Sequence, residues 1–198
     1  MIYVAFEGGE GCGKSTQSRL LARRLDAVLT LEPGGTPLGL ELRRLLLTPG
    51  RSPVGARAEA LLMAADRAQH LDAVVAPALA AGRSVVSDRS AYSSLAYQGG
   101  ARGLGVAEVR ALNDWTVAGR WPDLVVLLDL DPQRAGARLS EDRDRLEQEA
   151  LAFHQTVRRT YLELAAAEPE RFLVLDAAQP VDELAQRIWD EVAGKEGR

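Results

Sequence analysis

Five short apolar runs recur along the chain, at 2–6, 27–31, 84–87, 124–129 and 172–176. Most are unbroken, as in Leu124-Val125-Val126-Leu127-Leu128, the pattern of strands covered on both faces rather than on one. Between them, apolar residues return at three- and four-residue intervals over 14–26, 37–47, 55–81, 106–118, 146–167 and 181–193. That spacing predicts helices. Strand and helix in alternation imply a parallel sheet joined by right-handed crossovers. The breaks fall at Pro33-Gly34-Gly35, Thr48-Pro49-Gly50, Gly99-Gly100 and Trp121-Pro122. None is long enough to link two domains, so residues 1–198 are expected to form one α/β domain. Pro77 lies inside the 55–81 pattern and predicts a kink or an end there.

Open α/β sheets bind ligands beyond the carboxyl ends of their strands. The polar residues that follow each run are therefore the first candidates for a site. They are Glu7 to Ser15, Glu32 to Thr36, Asp88-Arg89-Ser90, Asp129 to Asp131, and Asp176.

The first of these segments carries chemistry. Gly8-Gly9-Glu10-Gly11-Cys12-Gly13-Lys14-Ser15 fits the phosphate-loop pattern G-x-x-x-x-G-K-[ST]. It follows a predicted strand and opens a predicted helix, so its backbone N–H groups and the positive helix end would face a polyphosphate. Of 24 basic residues only two are Lys, Lys14 and Lys195. A chain that otherwise uses Arg has put a compact ammonium at Lys14, where it would reach β- and γ-phosphates, with the Ser15 hydroxyl on Mg²⁺. Asp88, at the end of the third run, is the candidate for holding Mg²⁺ or its water shell, and Arg89 for clamping a second phosphate. The charged stretch Ser140 to Glu147 reads as a lid whose Arg residues neutralise a phosphoryl group in transfer. Met63 and Arg67 share a helix face, and His70 is expected at the surface or as a cap. Cys12 is expected to react with thiol reagents unless nucleotide covers it.

Bulk properties narrow the class. Hydrophobic residues make up 46% and charged residues 26%, with a net charge of −4 and a pI near 5.3. This is a globular composition that argues against an extended nucleic-acid surface. No apolar run has the length of a membrane span, and a single Cys excludes an internal disulfide. A soluble cytoplasmic protein is expected. No cluster has zinc-ligand spacing. A GTPase would need an N-K-x-D guanine reader, which the positions of the two Lys exclude.

Four segments resemble bacterial thymidylate kinases, within the P-loop nucleoside monophosphate kinase family. They are Phe6 to Thr16, Glu32-Pro33-Gly34-Gly35-Thr36-Pro37, Asp88-Arg89-Ser90-Ala91-Tyr92-Ser93-Ser94-Leu95-Ala96-Tyr97-Gln98-Gly99-Gly100, and Asp144 to Glu149. The resemblance implies a three-layer α/β/α fold with a five-stranded parallel sheet and a short lid at about 138–147. It implies ATP-dependent phosphorylation of dTMP with Mg²⁺, in a homodimer. Gly8, Gly9, Glu10, Gly11, Cys12, Gly13, Lys14, Ser15 and Thr16 would then surround the ATP phosphates, with Arg138 from the lid. Arg89 and Arg43 would bind the dTMP phosphate beside Glu32 and Pro33. Arg67, Ser94 and Gln98 would face the base, Met63 would cover it, and Tyr97 would pack against the sugar. Glu10 would sit near the 3′-hydroxyl. Lys14, Arg89, Glu10 and a lid Arg would serve catalysis; Arg143 is the first choice, with Arg138 and Arg145 in reserve.

Three positions depart from the family pattern. Met63 stands where Phe is common, Leu31 precedes Glu32 where Arg is usual, and Ser90 replaces a frequent Tyr. They leave open another small nucleotide acceptor, such as dUMP.

Overall fold

The computed structural model describes residues 1–50, 53–136 and 144–196. The strands are β1 (Tyr3–Glu7), β2 (Val28–Leu31), β3 (Val85–Asp88), β4 (Leu124–Asp129) and β5 (Phe172–Asp176). They form one sheet in the order β2-β3-β1-β4-β5, with every pairing parallel. The principal helices are α1 (Lys14–Leu25), α2 (Pro37–Leu47) and α3 (Ala56–His70), then the short α4 (Ala76–Ala80) and α5 (Ala91–Ser94). They are followed by α6 (Val106–Val117), the short α7 (Pro132–Ala135), α8 (Leu151–Ala167) and α9 (Val181–Glu196).

Alternation along each strand sorts the core into layers. Val4, Phe6, Val86, Val126 and Leu128 point to one face, where Leu21 of α1 and Ile188 of α9 cover them. Val125 and Leu127 point to the other, against Tyr92, Leu95, Val157 and Tyr161. Tyr3 and Val85 also leave that side, against Leu71, Val75 and Val117. The result is the α/β/α sandwich of the P-loop type. Only β1, β3 and β4 are covered on both faces. The edge strands β2 and β5 leave Leu29, Leu31 and Val174 exposed, so the doubly covered pattern expected of most runs holds only in the middle of the sheet.

Two helical expectations change. The 55–81 pattern does not break at Pro77. It widens into a π-helical turn over Leu71–Val75, where the Ala76 N–H reaches the Leu71 carbonyl, and resumes as α4. Pro77 offers no N–H and its ring crowds the preceding turn, so a wider turn accommodates both. The 146–167 pattern begins only at Leu151. Before it, Asp144 accepts the N–H groups of Leu146 and Glu147, and Glu147 accepts that of Asp144. This reciprocal pair closes a turn of its own, as a capping box does.

Candidate active site

The register Phe6↔Asp88 carries the ends of β1 and β3 to the same height, and the site is built on those ends. Between β1 and α1 the loop turns tightly at Gly8, where a Cβ would stand 2.5 Å from the Leu128 carbonyl oxygen. Gly13 lies at φ +93 and precedes α1, whose N-terminus has no side-chain cap. Its first N–H groups are free to meet an anion. Lys14 is nearly buried, with Nζ 2.7 Å from the Gly9 carbonyl oxygen. The Ser15 hydroxyl donates to Asp88 Oδ2 at 2.5 Å, across 73 residues of sequence.

A hydroxyl and a carboxylate in contact are a hard-cation donor set. No larger cluster of His, Cys, Asp or Glu suited to a metal occurs among the described residues. That combination fits Mg²⁺, which takes one or two protein ligands and draws the rest from phosphates and water.

Arg89 follows directly, in the left-handed region at φ +77. This conformation is costly for a side chain with a Cβ and is kept where the surroundings enforce it. The enforcement comes from Glu7, fully buried at the end of β1. Its Oε1 accepts from the N–H of Ser90 (2.8 Å) and of Ser93 (3.2 Å) and from the Ser90 hydroxyl (2.7 Å). Its Oε2 accepts from the hydroxyls of Ser93 and Tyr161, each at 2.6 Å. Burial pushes the Glu7 carboxyl up despite these bonds. So fixed, Arg89 donates through Nη2 to Glu10 Oε1, which also accepts the Tyr97 hydroxyl at 2.6 Å. Burial alone would raise the Glu10 carboxyl; Arg89, Lys14 and the Tyr97 hydrogen bond outweigh it and bring it down to about 2.

A second buried network forms the opposite wall. Glu32 takes the Nε of Arg67 at 2.9 Å and the Nδ1 of His70 at 2.8 Å, and His70 Nε2 meets the Thr30 hydroxyl at 2.7 Å. Arg67 also donates to Ser94 Oγ, Asn113 Oδ1 and the Ser90 carbonyl. Burial opposes the charge on Glu32, but Arg67 and the His70 hydrogen bond hold its carboxyl below the ordinary range. Asp66, raised to about 6 mainly by burial and then by the charge of Glu32, accepts the Gly34 N–H and fixes the loop after β2. His70 is thus a core histidine with both nitrogens engaged, not a surface or cap residue.

One cavity of about 460 Å³ gathers most of the expected residues. Glu10, Gly11, Gly13, Lys14, Ser15 and Thr16 form one end. Arg89 and Asp88 lie at its middle; Glu32, Pro33, Arg43, Met63, Arg67, Ser94, Tyr97 and Gln98 line the rest. Tyr97 and Gln98 come from a second π-helical turn, Leu95–Ala101, at whose end Gly100 lets α8 approach: a Cβ there would be 2.3 Å from Thr160 Oγ1. Widened turns of this kind are frequent at functional sites.

Among the described residues, other expected ones do not line this cavity. Cys12 is buried against Phe6 and Leu128, its Sγ 3.0 Å from the Gly9 carbonyl, so it is not an accessible thiol. Gly8 and Gly9 shape the loop without lining the cavity. Asp129 pairs with Arg158 and Asp131 caps α7, and neither they nor Asp176 reach the cavity. Arg138 and Arg143 lie outside the described residues. Arg145 binds the Leu46 carbonyl and Glu59 instead of turning to the phosphate loop. Glu59, Asp66 and Asn113 were not among the expected site residues, and Glu7, a candidate from its place after β1, had no role assigned to it.

The thymidylate kinase family model matches residues 6–188, nearly the whole chain. The chain belongs to the thymidylate kinase family. A thymidylate kinase of Clavibacter michiganensis subsp. michiganensis is 51% identical over 94% of this chain and 92% of its own length. One from Leifsonia xyli subsp. xyli is 50% identical over 98% and 95%, and one from Halothermothrix orenii 45% identical over 98% and 97%. As a thymidylate kinase family member the protein is an ATP-dependent nucleoside monophosphate kinase. The three departures occupy distinct places in this thymidylate kinase fold. All three line the cavity, and Ser90 also donates its hydroxyl to Glu7 and caps α5. No helix among the described residues is long and apolar enough to cross a membrane.

Proposed function

We propose that this protein transfers the γ-phosphoryl group of ATP to dTMP, giving dTDP and ADP. The observation that carries the reading is one cavity holding a phosphate-loop Lys and a Ser–Asp cation pair at one end, a guanidinium at its middle and a base-sized wall beyond. Two anionic substrates can meet there end to end. The nucleophile is already a phosphate oxygen, so no strong general base is needed. Lys14 draws charge from the β- and γ-phosphates, and Arg89 clamps the acceptor phosphate with help from Arg43. Ser15 and Asp88 would hold Mg²⁺, which would supply charge neutralisation on the polyphosphate. Glu10 and Tyr97, already bonded to each other, frame the sugar and disfavour a 2′-hydroxyl. Arg67, Ser94 and Gln98 read the base edge, and Met63 covers the ring by sulfur–aromatic contact. Catalysis then rests on positioning and charge neutralisation.

We assign the catalytic lid Arg to Arg143, with Arg138 on the nucleotide; the engagement of Arg145 by Glu59 speaks for that order. The lid, about 138–147, belongs to a single domain over 1–198. A homodimer in the cytoplasm, independent of nucleic acid and membrane, completes the reading. Leu61 of α3 (58% exposed) and Trp115 of α6 (81% exposed) support a face for a second copy, since α3 and α6 pack side by side.

The test is ADP release with ATP, Mg²⁺ and a panel of nucleoside monophosphates. Strong dTMP dependence, with dUMP poorer, is expected. Arg89→Ala should lose more than about a hundredfold in kcat/KM. No turnover with any acceptor, despite nucleotide binding, would refute the reading.

A further inference from the structure

Gln98 lines the base end of the cavity, yet a side-chain amide has two ends, and either could face a ligand. The structure fixes which. Gln98 Nε2 donates to Glu59 Oε1 at 2.9 Å. Glu59 is fully buried, and two cations also hold it: Arg102, through Nε at 3.2 Å and Nη2 at 3.3 Å, and Arg145, through Nη2 at 2.5 Å. Arg102 is itself held by Glu149 at 2.6 Å, and Arg145 is anchored on the Leu46 carbonyl at 2.6 Å. A carboxylate among three donors is an acceptor only. Turning the Gln98 amide over would put its carbonyl oxygen against that carboxylate.

We propose that Glu59 is a positioning residue for nucleobase selection: by locking the amide of Gln98, it leaves a carbonyl acceptor and one N–H donor to face the base. Thymine and uracil present a ring N–H donor beside a carbonyl acceptor, which matches that pair. Cytosine presents a ring nitrogen acceptor beside an amino donor and needs the opposite amide orientation, which Glu59 forbids. The lock therefore separates imide pyrimidines from cytosine and leaves the thymine methyl to other contacts. It rests on the acceptor reading given above. It also ties base reading to the descending arm of the lid, because Arg145 and Glu149 are part of the same cluster. A site built around a fixed hydrogen-bond pattern rejects a mismatched partner strongly, because its buried polar groups are then left unpaired.

Glu59→Gln makes the test. The new amide can offer either end, so Gln98 is free to turn. The ratio of kcat/KM for dTMP over dCMP should fall at least about tenfold, through the acceptor KM, while the KM for ATP stays within about twofold. A ratio within about twofold of wild type, with both activities falling together, would mean a structural role only and would overturn the inference. Should Glu59→Gln not fold, Glu59→Asp keeps the charge for Arg102 and Arg145 but withdraws one methylene from Gln98, and the same ratio is read. In a Gln98→Leu background, Glu59→Gln should change the ratio no further; a second drop of similar size would show that Glu59 does not act through Gln98. Absence of dTMP-dependent turnover by the wild type would overturn the acceptor reading and this inference with it. Robust wild-type turnover with unmoved ratios in the variants would overturn this inference alone.

Discussion

Glu10 offers a measure of how much stability the site itself contributes. Its carboxyl is held at about 2, against 4.5 for an ordinary Glu, and it is only 15% exposed beside an Arg89 that is 17% exposed. A folded-state value below the unfolded one means that ionised Glu10 favours the native state. The contribution is fully present above the unfolded value and is lost as pH falls through the folded one. The gap of 2.5 units between those two values corresponds to about 3 kcal/mol at neutral pH, of which about 2 kcal/mol is gone by pH 3. Other carboxylates, Glu32 and Glu59 among them, are also held below their ordinary range, so acid destabilises the protein through them as well. The difference between wild type and Glu10→Gln isolates Glu10. Urea unfolding of both proteins from pH 6 to pH 3, at constant m, should show that difference narrowing from about 3 to between 1 and 2 kcal/mol. A difference that stays constant across the range would refute the reading that the Arg89 pairing sets the ionisation of Glu10.

Glu7→Ala removes the acceptor of five hydrogen bonds and strands the buried N–H groups of Ser90 and Ser93, so a loss of about 3–5 kcal/mol in unfolding free energy is expected; a loss under about 1 kcal/mol would contradict the role given to Glu7. Gly100→Ala drives a Cβ into Thr160 and should cost about 1–3 kcal/mol in the same assay, part of it recovered in the Thr160→Ala background. Met63→Phe should lower the KM for dTMP by stiffer cover of the base, and an unchanged or higher KM would count against that role for Met63.

All five strands and the six longer helical regions were legible from periodicity, with boundaries shifted by a few residues, because burial imposes a period that a sequence displays openly. The phosphate loop was legible because its glycines and Lys14 have fixed local spacing. The two π-helical turns were not, since a single widened turn leaves the apolar pattern almost unchanged. Glu7 was legible as a site candidate from its place after the first strand, but not its bracing role, because a carboxylate at the end of an apolar strand looks like the strand's polar stop. Only the fold shows that Ser90, Ser93 and Tyr161 converge on it from 83 to 154 residues away. His70 was misread for a related reason: a lone histidine on a mixed helix face gives no sign of partners on a neighbouring strand and loop. Cys12 followed the spacing of the phosphate loop, but the strand end behind it, at Leu128, turned the thiol into the core.

The line of contacts from Thr30 through His70 and Glu32 to Arg67 and Asn113 has a consequence for anyone redesigning the acceptor. It begins on an edge strand, passes through Arg67 at the base wall and ends on α6, and each member satisfies the next. Exchanging Arg67 alone for a residue suited to another base would orphan Glu32, then His70. Members of such a chain do not vary independently, so the effect of one replacement depends on which others accompany it. An altered specificity is reached by replacing the chain as a unit, and a library that varies only the cavity-facing positions would find few folded solutions.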